Sequence, residues 1–128
     1  MTPARLLDTR FGSNNRTADG QFQNIGKITP GDPLELQVAG RTGIPGDATS
    51  AFLNITATAG DGPGFLTVYA CDSLPLASTL NYNHAGDTVA NLSFTELSPR
   101  GTVCIYARTA THVVVDATGH TMGNDSAE

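Results

Sequence analysis

A chain of 128 residues fits one domain that buries roughly two-thirds of its unfolded surface, and its 39% hydrophobic content supplies a packed core. Charged residues make up only 15%, the net charge is -5, and Arg5, Arg10, Arg16, Lys27, Arg41, Arg100 and Arg108 are scattered, which argues against a nucleic-acid partner. No apolar run approaches the roughly 20 residues of a membrane span, so membrane insertion is not expected.

No charged-then-apolar leader opens the chain, which leaves a removed signal, a piece of a longer chain, or export without a signal. Fourteen glycines and seven prolines then interrupt it too often for helices of ordinary length. Arg5–Arg10 reads as a first strand, and Phe11–Thr29 as a long polar loop. Further strands are expected at Leu34–Ala39, Ser50–Thr58, Gly64–Ala70, Ser78–Tyr82, Asp87–Leu97, Gly101–Ala107 and Thr111–Thr118. The breaks between them carry turn chemistry, as in Pro30-Gly31-Asp32-Pro33 and Gly60-Asp61-Gly62-Pro63-Gly64.

Side chains alternate faces along a strand. Ala51, Leu53, Ile55 and Ala57 therefore share one face, and Phe52, Asn54, Thr56 and Thr58 the other. Leu66, Val68 and Ala70 oppose Phe65, Thr67, Tyr69 and Cys71 in the same way, and Val113, Val115 and Ala117 oppose His112, Val114, Asp116 and Thr118. One aliphatic and one mixed face per strand indicate an all-β fold, an antiparallel β-sandwich, jelly-roll-like or Ig-like, of about 7–8 strands. The module is expected to span residues 1–120, with a hydrophilic tail at 121–128.

Cys71 and Cys104 lie in no CxxC motif and have no histidine at metal-ligand spacing, so a disulfide is their favoured use and an oxidising compartment the favoured setting. Hydrolytic chemistry finds no GxSxG motif. His112 and Asp116 share a strand face but stand about 13 Å apart at about 3.3 Å per residue, too far to pair. Asp32, Asp47, Asp61 and Asp87 sit in turns, where aspartate bonds its own backbone. No cofactor is expected; calcium is the one metal the turn aspartates leave open.

Tyr69, Tyr82 and Tyr106 fall in strands and read as core or cross-strand packing. Asn54, Asn81, Asn91 and Asp116, each mid-strand between aliphatics, read as a buried polar layer that fixes register. Asp8 and Arg10 share a face and are expected to anchor the first strand as a charge-assisted pair. Phe11, Arg16 and Phe22 lie in the part of the chain least explained as scaffold, and combine apolar anchors with a polar rim. They are the expected contact residues, with capping of the sandwich as the competing role.

Seven segments stand out: Pro3-Ala4-Arg5-Leu6-Leu7-Asp8-Thr9-Arg10, Leu53-Asn54-Ile55-Thr56-Ala57-Thr58, Gly64-Phe65-Leu66-Thr67-Val68-Tyr69-Ala70-Cys71, Leu80-Asn81-Tyr82, Thr88-Val89-Ala90-Asn91-Leu92, Val103-Cys104-Ile105-Tyr106 and Thr111-His112-Val113-Val114-Val115-Asp116-Ala117-Thr118-Gly119-His120. Together they resemble a module of secreted and cell-surface proteins of high-GC Gram-positive bacteria and some of their phages. His120-Thr121 stands where such modules carry an aromatic pair. The resemblance implies a β-sandwich, a Cys71–Cys104 disulfide and no catalytic residues.

These readings lead to a non-enzymatic extracellular module, on a cell surface or a virion, that works structurally or adhesively through a protein partner or self-association. The alternative is a carbohydrate-binding accessory domain of a secreted enzyme, with a glycan as ligand.

Overall fold

The computed structural model describes residues 1–73 and 78–123. Its strands are β1 (Ala4–Asp8), β2 (Leu34–Gln37), β3 (Ser50–Thr58), β4 (Gly64–Ala70), β5 (Leu80–Tyr82), β6 (Val89–Glu96), β7 (Thr102–Ala107) and β8 (His112–Thr121), with no helix among the described residues. They form two antiparallel four-stranded sheets, in the orders β1-β8-β3-β6 and β2-β7-β4-β5. Consecutive strands alternate between the two sheets except β4 and β5, which pair side by side in the second; this is the jelly-roll arrangement of eight strands and excludes the Ig-like order.

The aliphatic faces meet between the sheets. Leu53, Ile55, Val113 and Val115 from the first sheet pack with Leu36, Leu66, Val103 and Ile105 from the second. A bulge in β1 between Arg5 and Leu7 lets consecutive residues Leu6 and Leu7 both bury. A second irregularity in the β3–β8 pairing, where Phe52 faces Gly119 and Leu53 faces Ala117, leaves Thr118 as the extra residue. The last strand continues through it to Thr121, beyond the Thr118 expected from sequence, and pairs with Ser50. The remaining tail, residues 124–128, lies outside the described residues.

The segment after β1 is a strap rather than a free loop. It returns along β1, with the Ala18 N–H donating to the Arg5 carbonyl, the Asp8 N–H to Phe22, the Asn24 N–H to Asp8 and the Gly26 N–H to Thr9. Ile28, buried, then bridges Thr111. The free edge of β1 is thereby closed, which removes the unpaired backbone that an edge strand offers to other chains.

On the second sheet Cys71 and Cys104 form a disulfide with Cα atoms 5.0 Å apart. It ties the end of β4 to the middle of β7.

Candidate functional site

The outer face of the first sheet is built by strand alternation. β3 points Phe52, Asn54 and Thr56 outward, and its register sets Phe52 opposite Phe94, Asn54 opposite Leu92 and Thr56 opposite Ala90. β6 is consequently reversed: Ala90, Leu92 and Phe94 face solvent, while Asn91, Ser93 and Thr95 take the side of β3 that carries Ile55, Leu53 and Ala51. Leu92 is 61% exposed, Phe94 55% and Phe52 38%.

The inward polar groups are satisfied locally. Ser93 and Thr95 share a hydroxyl–hydroxyl bond of 2.8 Å. The Asn91 side chain donates to the Thr79 carbonyl at 2.9 Å and accepts the Leu92 N–H at 3.1 Å. A slip of one residue would exchange the two faces and bury Leu92 and Phe94. The observed register keeps them out, forgoing roughly 1.5–3 kcal/mol of burial for each large side chain.

The apolar row is floored by a glycine. Phe52 and Phe94 pack with ring centroids 4.7 Å apart at 43°. A Cβ at Gly119 would stand 3.2 Å from the Phe52 ring, so the bare backbone there lets the ring lie close to the sheet. The rim is polar, with Thr118 beside Phe52, Asn54 opposite Leu92, Thr56 farther along β3 and Glu96 at the end of β6.

Toward β1 the same face becomes ionic. Asp8 is fully buried and receives Arg10 at 2.8 and 2.9 Å and Arg5 at 3.3 Å, which makes the expected Asp8–Arg10 pair and extends it. Arg5 also holds Asp116 at 2.9 Å. Burial pushes the Asp8 carboxyl up, but the bonds from Arg10 and the charges of Arg10 and Arg5 outweigh it and hold it below the ordinary aspartate range. His112 bonds Thr9 through Nδ1 at 2.9 Å rather than a carboxylate. Burial first, then the charges of Lys27 and Arg10, lower its pKa.

The three expected contact residues divide. Phe11 is 68% exposed, edge-on to His112 with centroids 6.4 Å apart, and Arg16 is exposed with its Nε donating to the Ser13 carbonyl. Phe22 instead packs against the core, and Arg41 lies 5.0 Å above its ring. Arg41 is only 4% exposed and is fixed by Asp19 at 2.7 and 2.8 Å and by the Gln37 carbonyl at 2.9 Å. Phe22 also holds φ at 57°, a conformation a bulky residue keeps only when its surroundings impose it. Phe22 is thus a cap, because a buried arginine some twenty positions along the chain fixes it in place.

The expected polar layer also needs correction. Asn54 and Asp116 are register partners on the outer face of the first sheet and only partly buried, while Asn81 and Asn91 are exposed. Alternation placed each of them on a solvent face or at the sandwich rim, where water competes for their bonds.

Of the tyrosines, Tyr82 alone is core, with its hydroxyl donating to the Thr109 carbonyl at 2.6 Å. Tyr69 and Tyr106 lie on the outer face of the second sheet with Phe65, partly exposed.

Among the described residues one carboxylate approaches two other ligand-type atoms: Glu35 lies within 4.8 Å of both sulfurs of Cys71 and Cys104. The sulfurs are spent on each other, and Glu35 is bonded by Thr102 and Arg100. The turn aspartates lie apart in the chain, Asp61 held by Lys27 at 2.6 Å and Asp87 by the His84 backbone at 3.0 Å. No described helix is long and apolar enough to cross a membrane. Compared with protein-family models, curated proteins and solved structures, the chain matches none of them.

Proposed function

We propose that the chain is a non-catalytic module displayed outside the cytoplasm, on a cell surface or a virus particle, and that it works through protein–protein contact at Phe52, Leu92 and Phe94. The observation that carries this reading is the reversed β6, whose large apolar side chains face water while its small polar ones face inward. An apolar centre with a polar rim is the usual anatomy of a protein contact, and a partner recovers the burial that the strand forgoes.

The remaining supports are independent of that face. A disulfide suits an oxidising exterior. The motifs are similar to those of modules from secreted and surface proteins of high-GC Gram-positive bacteria and their phages. Jelly rolls elsewhere serve capsid and lectin domains, a likeness of architecture alone. Phe11 and Arg16 offer a second contact beside the strap.

Sedimentation velocity over a wide concentration range tests self-association, and cross-linking on the intact surface or particle tests contact with a different protein. The wild-type chain is expected to associate or cross-link through positions 92 and 94. A Leu92→Ser/Phe94→Ser double variant that melts normally is expected to lose this. A wild type that stays monomeric and gives the same cross-links as the double variant would sink the proposal.

A further inference from the structure

The outer face of the second sheet differs from the apolar row in every respect that matters for ligand choice. Along β4 it presents Phe65, Thr67 and Tyr69, and across the register Thr67 faces Tyr106 and Tyr69 faces Cys104. Phe65 and Tyr106 are diagonal neighbours with ring centroids 6.1 Å apart at 40°. All three rings are partly exposed, and Asn81, opposite Phe65 on β5, is exposed beside them. Among the described residues the hydroxyls of Tyr69 and Tyr106 have no hydrogen-bond partner, in contrast to that of Tyr82.

We infer that this face binds an uncharged polysaccharide, with the rings of Phe65, Tyr69 and Tyr106 as the platform. A pyranose ring offers an apolar face of C–H groups edged by hydroxyls. Aromatic rings with free phenol oxygens match both parts. Phe65 to Tyr69 spans about 13 Å at about 3.3 Å per residue, long enough for more than one sugar unit.

The charges of this face argue for a neutral ligand. Glu35 and Asp72 are both held by Arg100, at 2.9 Å each, and Arg108 is exposed opposite Phe65. Two carboxylates and two guanidiniums balance, leaving no net charge to select a phosphate, an acidic glycan or a basic peptide. The platform is also stiff. β4 and β7 are the two central strands of the sheet, and the disulfide joins Cys71, two residues past Tyr69, to Cys104, two residues before Tyr106. A face that needs no ordering on binding loses little entropy.

This inference rests on a different face from the proposed protein contact, so either can fail alone. Native electrophoresis through gels containing hydroxyethylcellulose, xylan, galactomannan or glycol chitin tests it. At least one of these is expected to retard the wild type. Tyr69→Ala and Tyr106→Ala are expected to weaken that retardation about tenfold, the size of a stacking contact in a preorganised site, while Phe94→Ser leaves it unchanged.

Should either alanine variant melt early, Tyr69→Leu and Tyr106→Leu keep apolar packing and remove the ring. The chain has no tryptophan and Tyr82 is shielded from added polymer, so a change in tyrosine emission on binding reports on Tyr69 and Tyr106. The retarding polysaccharide is expected to change that emission. No retardation by any of these polymers, retardation untouched by the Tyr69 and Tyr106 variants, or retardation without an emission change would each overturn the assignment.

Discussion

Along β1, the free edge of the first sheet is closed by the strap, whose backbone bonds and buried charges turn an edge into interior. Along β6, at the opposite edge of the same sheet, no strap of this kind runs among the described residues, and the strand turns its large apolar side chains to water. Closing the first edge commits Asp8, Arg10, Asp19 and Arg41 to ion pairs with one another. At the second edge Asn91 occupies the Leu92 N–H and reaches Thr79. The contrast teaches that an edge can be finished by polar work or left as a working surface, and that one sheet does both.

The disulfide sits apart from both edges and so measures the reserve against which they are read. Closing a loop of 33 residues contributes about 4 kcal/mol in the chain-entropy account. Reduction should lower the urea midpoint accordingly. An unchanged midpoint would mean that the second sheet holds without its clamp.

Arg41→Ala comes next in size. It strands the Asp19 carboxylate and the Gln37 carbonyl and removes the cation over Phe22, so it should cost about 3 kcal/mol. Hydrogen exchange should show the loss first at the amides of Asp8, Asn24 and Gly26, and not along β6. Loosening spread evenly over both edges would erase the distinction between them.

Acid should act on the same side. Arg41 bonds, against burial, hold Asp19 far below the ordinary carboxylate range, and Asp8 is also depressed. For depressed carboxylates the contribution is complete above the unfolded value of about 3.8 and is lost as pH falls through the folded one. The lowered pKa of His112 has the same sense, since the folded state disfavours its proton, and this loss begins as pH falls below about 6.5. Stability should therefore decline in two stages on acidification. Arg41→Ala should shrink the second by the share that Arg41 gives Asp19, leaving that of Asp8. A parallel decline in wild type and variant would refute the assignment.

Much of this plan can be read in the residues, and its gaps have physical causes. Alternation in Ala51–Thr58 and Thr111–Thr118 names the buried aliphatics because both strands are central and face the second sheet squarely. The same alternation in Val89–Glu96 separates Ala90, Leu92 and Phe94 from Asn91, Ser93 and Thr95, yet the ordinary rule would bury the larger set. Only pairing with β3 fixes the side they take. Phe22 resembles a contact residue because the arginine that covers it comes from another loop. Asn54, Asn81 and Asn91 look buried because aliphatics flank them along the chain, although sequence neighbours point to the opposite face. Tyr106 packs across strands on Phe65 as its place in a strand suggests, while the side it takes, like that of Tyr69, is set by pairing with its neighbour strand.

The smallest expected effect on stability belongs to the test that compares the edges most directly, the same substitution made on each. Phe22→Ser removes a ring that packs on the core and under Arg41, so it should cost roughly 2 kcal/mol, less than the 3–5 of a fully buried phenylalanine. Phe94→Ser removes a ring exposed to water and touching chiefly Phe52, so melting should move within the roughly 0.5 kcal/mol of an ordinary surface change. Association or partner contact should respond in the opposite order, surviving Phe22→Ser while the chain stays folded and weakening in Phe94→Ser. Calorimetric melting of both variants beside sedimentation velocity reads the two quantities on the same samples. If Phe94→Ser destabilises as much as Phe22→Ser, the β6 row is scaffold, and its outward face has a structural cause that the packing around Gly119 does not reveal.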